Sequence, residues 1–424
     1  MAEERKILTA ICRKRYNKRQ CIRKEEFCMK EKLSVQIEYK QIEGGISITK
    51  MHGRCAEVRI PAEIDGLPVI AVGEKAFAVK EEWPVAEPSD EIPAELVFVR
   101  EAGEASAEGQ ALRRVFLPDS VKMIGAYAFH GCSALERVSL PAHLQEISLR
   151  TFDGCGALEQ ITLPAGLQGI GDYAFYGCGS LKKLHLPESV ARIGKYAFYN
   201  CRKMEEINIP LATTDLNMGM FLNCDALQYM TFGRCRHISD LISGLNHELH
   251  LSIDFLQENG EIETCKLLIP DFQYEYIEDT PARQFHQVNY GTGHIFRQCI
   301  GNSEIDFRRY DEIFYLTRRE DEAETVLLLA MNRLQYPYRL QEKHKEVYLD
   351  YIRDHFLWAA AYYINRNEND KIKLFADWGL FTAENLPTVL ELAQKKGRTA
   401  ILSFLMDYQH RHFAPARKKK TFSL

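Results

Sequence analysis

No apolar run in this chain reaches the roughly 18 residues of a membrane-crossing helix, and the basic N-terminal stretch lacks the apolar core of a signal peptide. The expectation is a cytoplasmic protein, with the cell surface as the alternative location. An excess of one charge is missing as well. In 424 residues, 54 Lys and Arg stand against 59 Asp and Glu, a net of −5, so nucleic-acid binding has no global electrostatic basis. Catalytic patterns are absent too, since no Ser/His/Asp or paired-carboxylate constellation can be nominated. Gly169 and Gly171 form G-x-G, but at turn positions of a repeat and not between a strand and a dinucleotide-binding helix. His247, Glu248 and His250 miss the zinc-protease motif because the second histidine falls at i+3. His410 and His412 lie two apart, which on a helix points them in different directions. No cofactor and no metal are expected.

What is present is repetition. Pro118, Pro141, Pro164, Pro187 and Pro210 recur every 23 residues, and a fixed period of that length is the signature of a stacked solenoid. Within the units the apolar positions coincide. Val115, Leu117, Ile124, Phe129, Cys132 and Leu135 are followed by Val138, Leu140, Ile147, Phe152, Cys155 and Leu158, and the next units repeat them. Apolar residues two apart before each proline predict one short strand per unit with a single buried face, ended by a residue that lacks a backbone donor. The units share one apolar interior, and no unit folds alone.

The phrase LERVSLPAHLQEISLRTFDGCGALEQITLPAGLQGIGDYAFYGC resembles the BspA-like leucine-rich repeats, and the resemblance covers about residues 33 to 233. Proline, phenylalanine and cysteine recur in phase through five units, which makes it specific. The asparagine ladder of generic leucine-rich repeats is missing at Ser120, His143, Gly166, Ser189 and Ala212. The upstream residues 42 to 77 look like the family's opening, where a hairpin leads into a lengthened first coil. The resemblance implies a non-enzymatic scaffold; such proteins are often bacterial surface or secreted adhesins, which is the alternative reading here.

The expected fold class is α+β: a leucine-rich repeat solenoid with a short parallel sheet, followed by a helical C-terminal domain. Its expected parts are a basic segment 1–32, the solenoid 33–240 with an acidic insertion at about 78–111, a transitional segment 241–305, a helical domain 306–413 and a basic tail 414–424. Gly233 in place of proline marks a decayed last unit that is expected to cap the solenoid. In the helical region Val326, Leu329, Ala330 and Leu334 form one apolar stripe and Val347, Tyr348, Tyr351 and Ile352 another, with Pro337 between them. The sequence LELAQKKGRTAILSFLMDY resembles one ankyrin helix pair, with Thr382 as N-cap and Gly397 as the break. Such a region either caps the solenoid or binds a peptide separately.

Of the twelve cysteines, Cys132, Cys155, Cys178, Cys201 and Cys224 form a line, one per coil. A line cannot surround one tetrahedral ion, so these thiols are expected to be small core residues.

Function is left to the outward strand residues that alternate with the buried ones. The candidate binding surface is Arg114, Phe116, Arg137, Gln160, Lys183, His185, Glu206 and Tyr229, with Arg114, Arg137 and Lys183 as a basic stripe and the aromatic residues near its ends. Arginine and aromatic side chains are favoured interface anchors, so a protein or glycan partner is expected. The competing reading is a plain solvated sheet face. A second candidate is the row Tyr127, Tyr173 and Tyr196, interrupted by Arg150, which repeat packing explains equally well. The basic termini, among them Lys14, Arg15, Lys418 and Lys419, make membrane-surface contact a minor expectation. An enzyme reading would put chemistry at the solenoid–helical junction, with His286, His294 and Asp306.

Overall fold

A computed structural model describes residues 6–11, 34–53, 55–79, 111–213, 215–217, 219–233, 238–242, 244–279, 284–302 and 304–413. The tail 414–424, nearly all of the acidic insertion expected at 78–111, and the basic segment apart from strand Lys6–Ile11 lie outside the described residues. Two compact units divide the chain. The first comprises Met1–Thr264 with Ile269–Asp306, and the second comprises Cys265–Leu268 with Phe307–Leu424.

The first unit opens with an antiparallel sheet in which Lys6–Ile11 pairs with Ser34–Ile42, and Ser34–Ile42 pairs with Gly45–His52. Gly44, at φ +87°, closes the two-residue turn, and Gly45 lies so close to the Pro68 carbonyl that a Cβ would sit 2.3 Å from it. The hairpin then passes into the repeats, because Gly45–His52 pairs in parallel with Leu67–Val72, which pairs in parallel with Met123–Ile124.

The coils carry two short strands and not the single strand expected. One ladder runs Glu57–Arg59, Arg114–Phe116, Arg137–Ser139 and, after a break, Lys183–His185, Glu206–Ile209, Tyr229–Gly233 and Leu249–Leu256. The other joins Glu146–Ile147, Gly169–Ile170, Arg192–Ile193 and Asp215–Leu216. Two-residue strands leave no alternation to read, which is why the pattern did not reveal them. The expected cap is also corrected: Tyr229–Gly233 is covered in parallel by Leu249–Leu256, whose Leu249, Leu251, Ile253 and Phe255 are buried. Alternation inside that strand extends the ladder after the 23-residue period has ended.

Two left-handed residues bend the coils. The first is Tyr127, Arg150, Tyr173 or Tyr196, at φ between 52° and 58°; the second is Gly131, Gly154, Gly177, Asn200 or Asn223, at φ between 59° and 75°. Asparagine serves at the second position because it tolerates this region better than other non-glycine residues.

Inside the bends, Phe77, Phe129, Phe152, Phe175, Phe198 and Phe221 stack with ring centroids 5.0 to 5.7 Å apart. Beside them the five thiols donate to the phenylalanine carbonyl of the preceding coil: Cys132 to Phe77, Cys155 to Phe129, Cys178 to Phe152, Cys201 to Phe175 and Cys224 to Phe198, at 3.2 to 3.3 Å. The cysteine is therefore a core residue that also satisfies a buried acceptor at the bend. All eight described cysteines are buried.

The second unit is helical: Phe307–Glu312, Phe314–Glu320, Ala323–Gln335, Glu342–Asp354, Phe356–Arg366, Asn369–Asp377, Leu386–Lys395 and Thr399–His412. Val326, Leu329, Ala330 and Leu334 are buried as their spacing implies, and so are Tyr348, Tyr351 and Ile352, but Val347 is 38% exposed. Thr382 caps a turn just ahead of Leu386–Lys395, its hydroxyl accepting from the Asn385 amide while Asn385 Oδ1 accepts from the Thr382 amide. Gly397, at φ +63°, ends that helix.

Candidate functional site

The outward face of the first ladder is set by strand alternation. Val115, Val138, Leu184, Ile207 and Met230 point inward, and their strand neighbours therefore point out. Register places Glu57, Arg114 and Arg137 in one column and Arg59, Phe116 and Ser139 in the next. Beyond the break, Lys183, Glu206, Tyr229 and His250 share a column, as do His185, Asn208, Thr231 and Ser252. Arg114, Arg137, Gln160, Lys183, His185, Glu206 and Tyr229 are exposed, and Phe116 is half-buried.

The ladder is interrupted at Gln160. Residues 160–162 form no strand, and none of the described backbone hydrogen bonds involves them, although the Phe129, Phe152 and Phe175 stack runs through the same coil unbroken. The face thus consists of two short sheets.

Charge on this face is uneven. Lys183 Nζ is 2.7 Å from Glu206, which raises the lysine pKa and cancels its charge within the surface. Arg114 is 3.6 Å from Glu57, and the same carboxylate accepts from Arg59 at 3.0 Å. Arg137 has no ion-pair partner among the described residues. The stripe read from sequence is therefore cationic at Arg114 and Arg137 but not at Lys183. The aromatic ends differ as well, for the Arg59 guanidinium lies 3.9 Å over the Phe116 ring, whereas Tyr229 stacks on His250 at 4.8 Å. Sequence reasoning missed Glu57, Arg59 and His250. The Val58-x-Ile60-Pro61 phrase was the available signal for the first two, and the period had ended before the third.

The tyrosine row is real and sits at the first left-handed bend. Tyr173 stacks on Tyr196 at 5.3 Å, Tyr176 on Tyr199 at 5.0 Å, and Arg150 covers Tyr173 at 4.2 Å. In the coil that lacks tyrosines, Asp153 is nearly buried, 2.6 Å from Arg150 and 3.2 Å from His130 Nδ1. Burial raises the Tyr173 and Tyr176 phenols, which are neutral at physiological pH.

The other sequence candidates have structural roles. A Cβ on Gly171 would meet Leu149 N at 2.8 Å, so the G-x-G serves coil stacking. His250 lies in a strand and bonds to Glu248 at 3.1 Å, and His412 stacks on Tyr408. His294 bonds to the Gly291 carbonyl, the Asp306 amide donates to the Cys299 carbonyl, and the side chain of His286 lies outside the described residues. No group of three or more metal-ligating side chains occurs among the described residues, and no helix there is long and apolar enough to cross a membrane.

Residues 104–240 match the model of the BspA type leucine rich repeat region in six copies. The chain belongs to this family. Among solved structures, a leucine-rich repeat protein of T. pallidum is 32% identical over 49% of this chain and 87% of its own length, with a TM-score of 0.39. A leucine-rich repeat protein of Bacteroides ovatus is 25% identical over 49% of each chain, with a TM-score of 0.37. A leucine-rich cell surface protein of Faecalibacterium prausnitzii is 21% identical over 53% of this chain and 58% of its own, with a TM-score of 0.33. No curated protein matches the chain. BspA-type repeats are generally non-enzymatic scaffolds that mediate protein interactions, and this chain carries such a scaffold.

Proposed function

We propose that this chain binds a protein partner through the outward face of its first strand ladder. The observation that carries the reading is the register. Charged, amide and aromatic side chains repeat at the strand spacing of roughly 4.8 Å on one side, while every inward neighbour is committed to the core. Arginine and aromatic residues at such positions supply anchors, and the short polar side chains between them, Ser139, Thr162 and Asn208, supply adaptable hydrogen bonds. The five ladder cysteines, each a thiol that donates to a carbonyl, fit a reducing compartment, which cell fractionation tests.

The test is site-specific photocrosslinking in cells. Reactive groups at Gln160 and His185 should each give a defined protein adduct, and groups at Met123 and Leu149, exposed elsewhere on the coils, should not. Charge reversal at Arg114, Arg137 and Lys183 together should remove the adduct. Equal labelling from all four positions would sink the reading.

A further inference from the structure

We propose that the partner presents an acidic, extended peptide segment to the patch formed by Arg59, Arg114, Phe116 and Arg137; this rests on the sheet-face reading above. The argument is charge complementarity at a fixed place. In the first three strands, three arginines stand against Glu57 alone, leaving two positive charges on a face about three strands wide. Adjacent Arg113 adds nothing, because its guanidinium is 2.9 Å from Glu136. Past the break, Lys183 and Glu206 neutralise each other, and Tyr229 and His250 occupy each other's faces. The unsatisfied cationic character of the face is thus confined to one end.

The whole chain carries a net charge of −5, so it repels an acidic partner except where such a local field dominates. Within the patch, the Arg59 guanidinium carbon lies 3.9 Å over the Phe116 ring while Nε donates to Glu57, and its Nη donors are offered to a carboxylate. Glu57 holds Arg59 and Arg114 from one side, and Arg137 is uncommitted among the described residues. A segment running along the column from Arg114 to Arg137 meets one cation per strand, a step of roughly 4.8 Å that lies between one and two residues of extended chain. The half-buried Phe116 ring in the column beside these cations favours a peptide, which brings apolar side chains, over an anionic polysaccharide.

The test uses the full chain and a fluorescein-labelled dodecapeptide of alternating glutamate and leucine, beside its glutamine-for-glutamate counterpart, read by fluorescence anisotropy. The glutamate peptide should bind and weaken as salt rises, and the glutamine peptide should not bind measurably. R59Q/R137Q should weaken binding by roughly tenfold or more, and K122Q, at an exposed lysine outside the first ladder, should leave it unchanged. These side chains are exposed, so circular dichroism should report a folded double variant; R137Q alone, with a smaller loss, serves if it does not. The inference is overturned if the two peptides bind alike, if R137Q and R59Q/R137Q keep wild-type affinity, or if a sulfated heparin oligosaccharide binds the patch and the glutamate peptide does not. Photocrosslinks at Gln160 and His185 separate the two levels. Adducts without acidic-peptide binding remove only this inference, and loss of both removes the sheet-face reading.

Discussion

Arg333 and Asp311 form a two-pronged ion pair, Nε to Oδ1 at 2.7 Å and Nη2 to Oδ2 at 3.0 Å, with both side chains essentially shut off from solvent. Tyr348 donates its hydroxyl to the same carboxylate at 2.8 Å, and Arg333 also donates to the Tyr338 carbonyl. Burial opposes the guanidinium charge, but the bonds and attraction from Asp311 outweigh it. Removing one partner leaves a buried charge without compensation. Asp311→Ala should therefore destabilise the helical unit by about 3–5 kcal/mol in denaturant unfolding, and replacing both residues with apolar side chains of similar volume should cost far less.

His344 lies beside this pair, with Nδ1 buried, 3.9 Å from Asp311 and lacking a hydrogen bond. Burial pushes its imidazole below the ordinary value, Asp311 and Glu312 pull it up, and Lys343 and Arg308 push it down. The unfolded chain thus takes up the proton first as pH falls. Stability from the neutral ring is complete above about pH 6.5 and is lost as pH drops through the folded value. Thermal melts at pH 7.5 and pH 5.5 should show a drop that His344→Gln reduces.

The thiol ladder should be chemically silent in the folded protein. Burial pushes Cys132 and Cys224 up to about 12 and raises Cys155, Cys178 and Cys201 further. Iodoacetamide at pH 8 should leave these five unlabelled until denaturant is added. Because the neutral thiol is favoured in the fold, its contribution is complete below about pH 9 and falls as pH rises toward about 12. Cys155→Ser keeps a donor for the Phe129 carbonyl, whereas Cys155→Ala removes it and should cost about 1–3 kcal/mol, read by urea unfolding.

Arg150 and Asp153 replace the two tyrosines that the next coils carry at the same bend. Asp153→Tyr alone leaves Arg150 without its anion. It should cost about 1–3 kcal/mol, less than for a dry pair because the Arg150 side chain keeps 31% exposure. The double change Arg150→Tyr with Asp153→Tyr reproduces the Tyr173/Tyr176 arrangement and should fall within about 1 kcal/mol of wild type in the same unfolding assay.

Amides of residues 160–162 find no described backbone acceptor, unlike those of the paired strand Lys183–His185. Native-state hydrogen exchange should show the former exchanging faster by orders of magnitude. Equal protection would mean that the ladder closes across this coil in solution.

The stacked interior was legible because it repeats. Phe129, Phe152 and Phe175 appear in phase, and burial of one face at constant spacing admits no other arrangement than stacking. The second strand of each coil was not legible, since two residues carry no period. Arg114, Arg137 and Lys183 are exposed, but their charge state was hidden: Glu206 comes 23 residues after Lys183, and only register makes them neighbours. The Arg333–Asp311 pair was hidden for the same reason, being 22 residues apart on different helices.

Local chemistry written once per unit determined by itself that the coils stack, where they bend and which side chains enter the core, because each unit needs its neighbour to bury its apolar face. Three-dimensional packing alone decided which outward charges survive. Pairing across coils depends on distances between residues from different units, and these exist only once the ladders are in register.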